Sequence, residues 1–287
     1  MTRVALTLAF DGTRYCGWQA QKNGLSVQTA VCEAAAKVYG APVPVTGCSR
    51  TDAGVHACGF VCHMDVPFVI PPDALPLALN RALPPDIAVR AACETDGAFH
   101  ARYSAAGKEY VYRIRNSRLR DPFENGRALL WPHPLDAAAL DDAAQAFVGR
   151  HDFRSCMASG SKITDTVRRV FRFRVRREDE FVTMTVAADG FLYNMVRIMA
   201  GTLLCPGVTA EKITRILDAR ERGQAGATAP AHGLYLSRVF YPDGLLTPPA
   251  STTPKGQATD GRFFHLPRAG EEIRPGEGQN PLEGSIL

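Results

Sequence analysis

Apolar and polar positions alternate over residues 4–10, 43–49, 58–66, 87–94, 108–115, 165–177, 181–189 and 235–240, which predicts eight strands. Apolar residues recur at spacings of three and four over 27–39, 73–82, 136–148, 191–204 and 210–219, which predicts five helices. The helix over 27–39 follows Ser26, whose hydroxyl can accept from a first-turn amide, and stops at Gly40 with Pro42 beyond. The helix over 136–148 starts after Pro134 and stops at Gly149. Several strands follow one another with no helix between them. That order favours an α+β layer structure with a mostly antiparallel sheet over a doubly wound parallel one. A small-residue loop between 98 and 108 separates two stretches, each long enough for a strand–helix–strand unit, although no sequence repeat relates them. The expected divisions are 1–104, 105–242 and a tail over 243–287.

Composition narrows the class. A chain of 287 residues, 46% hydrophobic and 22% charged, is an ordinary globular protein of one or two domains. No apolar run is long enough to span a bilayer. Met1-Thr2-Arg3 runs straight into the first strand, so a cytoplasmic protein with no membrane association is expected. The eight cysteines include no C-x-x-C pair, and reduced thiols are expected. Cys58, Cys62, His63 and His56 are the one grouping that hints at metal, and their spacing fits no standard zinc site. The tail holds six Pro and seven Gly in 45 residues and has too few aliphatic side chains for a core, which predicts disorder. Net charge is +4 overall but +6 over residues 1–242, where 29 basic side chains face 23 acidic ones. That balance suits a polyanionic partner without requiring one.

The candidate chemistry centres on Gly47-Cys-Ser-Arg-Thr-Asp52-Ala-Gly-Val-His-Ala57. Asp52 stands at the exit of a strand, between a cation, a hydroxyl and a glycine turn. A side chain so placed can face a ligand from a fixed backbone. No second Asp or Glu lies within ten residues, which argues against a locally built carboxylate pair. Arg197 lies in a nearly all-apolar helix, Phe191-Leu-Tyr-Asn-Met-Val-Arg-Ile-Met-Ala-Gly201, with no acid at helical spacing. Its guanidinium must reach water or meet an anion from elsewhere in the fold. Along Lys108-Glu-Tyr-Val-Tyr-Arg-Ile-Arg115, period two sets Tyr110, Tyr112 and Ile114 on one face and Val111, Arg113 and Arg115 on the other. In the most basic segment, 168–177, Arg172, Arg174 and Arg176 share a face, which is either a solvated exterior or a stripe that tracks phosphates.

The eleven-residue string around Asp52 resembles the active-site motif of the TruA family of tRNA pseudouridine synthases, with Ser49 where glycine is usual. Asn194-Met-Val-Arg197 and Tyr110-Val-Tyr112 resemble that family's other two motifs. Phe10-Asp-Gly-Thr-Arg-Tyr-Cys-Gly-Trp-Gln19, Phe99-His-Ala-Arg102 and Gly233-Leu-Tyr-Leu236 resemble further stretches. Asp152-Phe-Arg-Ser-Cys156 departs from the pattern at Cys156, where Phe is usual. The resemblance implies two ferredoxin-like (RRM-like) halves that share a mostly antiparallel sheet, with helices packed on one side and a central cleft. It implies a pairing of Asp52 with Arg197, which favours the anionic carboxylate, and a target base stacked on Tyr110. Asp52, Arg197 and Tyr110 are then the catalytic residues, and Arg50, Thr51, His56, His100, Arg102 and Tyr110 bind substrate. Arg172 and Arg174 join the binding set on the phosphate-tracking reading.

The implied reaction isomerises uridine to pseudouridine at positions 38 to 40 of the tRNA anticodon stem-loop, on a homodimer. It changes no oxidation state, so no cofactor or metal is expected. Asp52 could add at C1′, deprotonate the sugar or attack C6. Two other classes make different demands. An RNA-binding protein of RRM type would have no use for Arg50-Thr51-Asp52, and a nucleoside hydrolase would want a second acid or a metal. A synthase acting on other RNA uridines also fits the motifs.

Overall fold

A computed structural model describes residues 1–22, 24–161 and 163–242; the tail expected over 243–287 lies outside the described residues. Ten strands form one sheet, ordered β4-β1-β3-β10-β5-β9-β8-β7, with β2 on β3 and β6 on β5. The first half runs β1 (Thr2–Phe10), α1 (Val27–Tyr39), β2 (Val45–Gly47), β3 (His56–Val66), α2 (Leu75–Ala82) and β4 (Ile87–Thr95). The second runs β5 (Gly107–Arg115), β6 (Leu129–Leu130), α3 (Ala137–Ala144), β7 (Gly149–Asp152), β8 (Val167–Glu178), β9 (Phe181–Ala188), α4 (Met195–Leu203), α5 (Ala210–Ala219) and β10 (Leu234–Phe240). In space, β4-β1-β3-β2 and β10-β5-β9-β8 follow the same order of first, second, third and fourth strands. Each is a ferredoxin-like unit, so the fold is duplicated although the letters show no repeat. All pairs are antiparallel except β5 with β6 and β3 with β10. The β3–β10 seam joins the halves through two residue pairs, Tyr235 with His56 and Leu236 with Ala57.

One continuous apolar face crosses the seam. Leu6, Leu8, Phe60 and Met64 in the first half, then Leu236, Tyr110, Tyr112, Val186 and Phe173 in the second, are all buried. The helices supply matching stripes. In α1 the buried set is Val27, Ala30, Val31, Ala34, Ala35 and Tyr39, the spacing of one helical face. Ser26 Oγ accepts from the Thr29 amide at 3.1 Å, and Gly40 closes the helix at φ +70°.

Several boundaries shift from the pattern-based expectation. The strand expected over 43–49 is only Val45–Gly47, because the chain then turns to form the Asp52 loop. The helix expected over 136–148 ends at Ala144 and tightens into a 3₁₀ turn, Gln145–Phe147. The helix expected over 191–204 begins at Met195, because Asn194 takes a left-handed conformation at φ +59°. β6 and β7 were not predicted. Gly149-Arg-His-Asp152 carries no apolar alternation, and it is extended because the edge of β8 offers it hydrogen bonds.

Candidate active site

Asp52 lies in the loop between β2 and β3, and the chain's N-terminal segment holds that loop from behind. The Trp18 amide donates to the Thr51 carbonyl at 3.3 Å, and the Gly54 amide donates to the Tyr15 carbonyl at 3.2 Å. The two segments pass so closely that a side chain could not fit between them. A Cβ on Gly17 would lie 2.2 Å from the Thr51 oxygen, and one on Gly12 would lie 2.0 Å from the Val55 oxygen. Trp18 stacks on Phe60 with ring centroids 4.1 Å apart and covers Gly47. The F-D-G-T-x-Y-x-G-W stretch is thus a buttress for the Asp52 backbone.

Folding brings Arg197, 145 residues away, to Asp52: Nη1 donates to Asp52 Oδ2 at 3.1 Å. The same guanidinium donates to Asn194 Oδ1 at 2.8 Å, and Nε donates to the Ala229 carbonyl at 2.8 Å. Close approach of the 226–229 segment to α4 makes the last bond possible. A Cβ on Gly201 would sit 1.8 Å from the Ala227 oxygen. The cation therefore neither stays unpaired in its apolar helix nor snorkels to water; its neighbours fix it in direction. Asp52 Oδ1 has no hydrogen bond among the described residues.

Asp52 and Tyr110 line an open cleft of about 970 Å³. Tyr110 is buried in the sheet, with Oη 3.4 Å from Ser49 Oγ and its ring edge-on to Phe191 at 5.0 Å. Burial pushes the Tyr110 phenol above the ordinary tyrosine range, and the neighbouring Cys48 and Asp52 push it the same way. The group is a neutral hydroxyl at physiological pH. A carboxylate oriented by an arginine beside an aromatic wall suits chemistry on a planar, uncharged ring.

A match to the tRNA pseudouridine synthase family covers residues 7–104 and 143–242. The chain belongs to that family. It is 44% identical over 244 residues to tRNA pseudouridine synthase A of Acetivibrio thermocellus, covering 84% of this chain and all of the relative. The enzyme of the same name from Syntrophotalea carbinolica is 46% identical over 244 residues, covering 84% and 97%. That of Ruminiclostridium cellulolyticum is 43% identical over 245 residues, covering 84% and 100%. Among solved structures, a Cbf5-Nop10-Gar1 complex aligns with 81% of this chain and 57% of that one, at 11% identity and a TM-score of 0.36. As a tRNA pseudouridine synthase, the chain is an isomerase of tRNA uridines.

The other residues expected at the site are distributed unevenly. Arg50, Thr51 and Arg102 line the cleft with Asp52. Thr51 is buried, and its Oγ1 has no hydrogen-bond partner among the described residues. His56 is buried behind the loop. Its Nδ1 accepts from the Gly12 amide at 3.0 Å, its Nε2 lies 2.9 Å from the Gly126 carbonyl, and its ring stacks on Tyr235. His100 Nδ1 accepts from the amides of Arg102 and Tyr103, so it shapes the turn that presents Arg102. Neither histidine is among the cleft-lining residues.

Arg172 and Arg174 stand on the face of the sheet opposite Tyr110 and have acidic partners. Arg172 Nη2 donates to Glu109 Oε2 at 2.6 Å, and Arg174 Nη1 lies 3.6 Å from Asp141 Oδ2. The cleft also draws on Lys108, Phe191, Gln19 and Gln21, which had no assigned role in it. Lys108 was legible: it stands two residues before Tyr110 on a strand and so faces the same way. Phe191 was not, because it reads as the first turn of a helix.

Proposed function

We propose that the cleft receives a uridine everted from the tRNA anticodon stem-loop, at positions 38 to 40, and that Asp52, Tyr110 and Arg197 convert it to pseudouridine. The observation that carries this reading is Asp52, held by Arg197, in the lining of a cleft that Tyr110 also lines. Inside a helix the base is stacked and out of reach. Everting it costs a few kcal/mol, which stacking on Tyr110, on the order of 1–3 kcal/mol, helps to offset. Arg197 holds Oδ2 of Asp52 and leaves Oδ1 to meet the nucleoside. Addition at C1′, removal of a sugar proton and attack at C6 all require one such free, directed oxygen. The C1′–N1 bond breaks, the retained uracil turns, C5 bonds to C1′, N1 gains a proton, and the C5 proton leaves. Tyr110, a neutral hydroxyl beside the ring, can relay that proton.

Arg50, Thr51 and Arg102, at the cleft, serve as the substrate-binding set. His56, placed behind the Asp52 loop, serves by holding it. The reaction needs no cofactor. Among the described residues no helix is long and apolar enough to cross a membrane, and tRNA as substrate points to the cytoplasm. Resemblance to the family supports a homodimer across which one tRNA lies; sedimentation of the full chain tests it.

The deciding experiment uses unmodified tRNA labelled with tritium at uridine C5. Release of tritium to water, with product sites mapped by sequencing to positions 38 to 40, is the expected result. Product at other uridines would refute the anticodon assignment. An Asp52→Asn variant should fold and release nothing, and turnover by that variant would remove Asp52 from the chemistry.

A further inference from the structure

Asp52 is the one carboxylate among the described residues that line the cleft, and Arg197 already occupies one of its oxygens. Three cations share the cleft with it: Arg50, Arg102 and Lys108. Among the described residues none of the three has an acid within ion-pair distance, whereas the other two cations of β5, Arg113 and Arg115, are paired. The acid next to Lys108 in sequence, Glu109, faces the opposite side of β5 and is held by Arg172 and by Arg238 at 3.7 Å. Lys108 thus brings a charge into the cleft that the protein leaves uncompensated.

We propose that Lys108 is a substrate-positioning residue that binds the backbone phosphate flanking the uridine stacked on Tyr110, with Arg102 as its partner on the same phosphodiester. The inference rests on the tRNA-uridine reading of this cleft. Three features support it. Lys108 and Tyr110 are alternate residues of one strand, so their side chains leave the sheet on the same face with Cα atoms about 7 Å apart. A base on Tyr110 therefore sets its own sugar and phosphate beside Lys108. The strand is rigid at that point, since Lys108 pairs with Val239 of β10 and Ala188 of β9. Finally, the surroundings favour an incoming anion. Burial lowers the Lys108 ammonium from its ordinary range, Arg102 lowers it further, and the opposing influence is the Cys48 thiol, itself pushed up to about 11 by burial. Tyr110 and Tyr112, the other titratable groups on this face of β5, are both pushed up by burial and stay neutral. A phosphate relieves the mutual repulsion of Lys108 and Arg102, and the neutral face of a uracil does not.

The test measures the binding of unmodified tRNA to wild type, Lys108→Gln and Lys108→Arg over a range of NaCl concentrations, with kcat and KM from tritium release and far-UV circular dichroism to verify folding. Removing one phosphate contact should weaken binding roughly tenfold and flatten the slope of log K against log salt by about 0.7 to 0.9. Lys108→Arg should restore both slope and affinity, because charge is what the contact requires. The proposal is overturned if Lys108→Gln keeps the wild-type salt slope, whether kcat falls (contact with the base) or nothing changes (no contact). It is equally overturned if Lys108→Arg fails to restore the slope. Wild-type tritium release separates these outcomes from a failure of the uridine reading itself.

Discussion

Truncating Arg197 probes the arrangement most directly. Arg197→Ala deletes three hydrogen bonds: to Asp52, to Asn194 and to the carbonyl of Ala229. Ala229 is 5% exposed, so water does not readily replace its lost partner. A charge-assisted bond to such a group contributes about 1.5–3 kcal/mol. The Asp52 side chain is 31% exposed, so solvent screens its ion pair, and about 1 kcal/mol is a fair value for that contact. Together these predict a loss of about 2–4 kcal/mol, or roughly 5–15 °C in Tm for a chain of this size. Activity should fall further than stability implies. An Asp52 carboxylate released from its partner samples several rotamers, and misplacement on the ångström scale costs on the order of 10²-fold.

The assay pairs urea denaturation with tritium release at saturating tRNA, for Arg197→Ala alone and in an Asp52→Asn background. Coupling between the two sites in stability should be about 1 kcal/mol. A kcat within threefold of wild type, together with an unchanged Tm, would refute the argument that Arg197 orients the acid.

Three further outcomes are expected. Gly17→Ala should unfold or disorder the Asp52 loop, because its Cβ would lie 2.2 Å from the Thr51 oxygen at a backbone φ of +98°; wild-type stability and activity would show that the loops can part. Tyr110→Phe should bind tRNA within a few-fold of wild type, because the stacking ring remains, whereas Tyr110→Ala should lose binding by about 1–3 kcal/mol; equal losses would deny the ring its role. His63 is buried and accepts from the Ala101 amide, and burial first, then Arg3, lowers its pKa to about 4. The unfolded chain, with histidine near its ordinary 6.5, binds the proton more readily, so this contribution to stability is complete above pH 6.5 and is lost between 6.5 and 4. Urea midpoints at pH 7 and pH 5 should differ by more in wild type than in His63→Asn, and parallel curves would contradict the assignment.

Local periodicity made the long elements readable. The stripes of α1 and the alternation of β1 and β5 carry their own burial information, and the Ser26 and Gly40 caps mark where α1 starts and stops. What remained hidden depended on partners distant in sequence. β7 is a strand because β8 has an open edge. The 191–204 run breaks at Asn194, and no apolar pattern reports a left-handed residue. The same limit divides the site. Arg197 was conspicuous because its own helix held no acid, and its partner does lie in the other half. Arg172 and Arg174 were conspicuous as a basic stripe, yet their acids, Glu109 and Asp141, come from elements that only the fold brings alongside. His56 belonged to the most informative string in the chain and still proved to be buried behind the loop it follows.

The narrow β3–β10 seam has a consequence for the life of the polypeptide. The acid is contributed from one side of it, and the arginine and the aromatic wall from the other. While only the first unit has left the ribosome, the acid exists without the arginine or the aromatic wall. Competence therefore arises at docking, so co-expressed fragments 1–104 and 105–287 should be silent separately and regain turnover together.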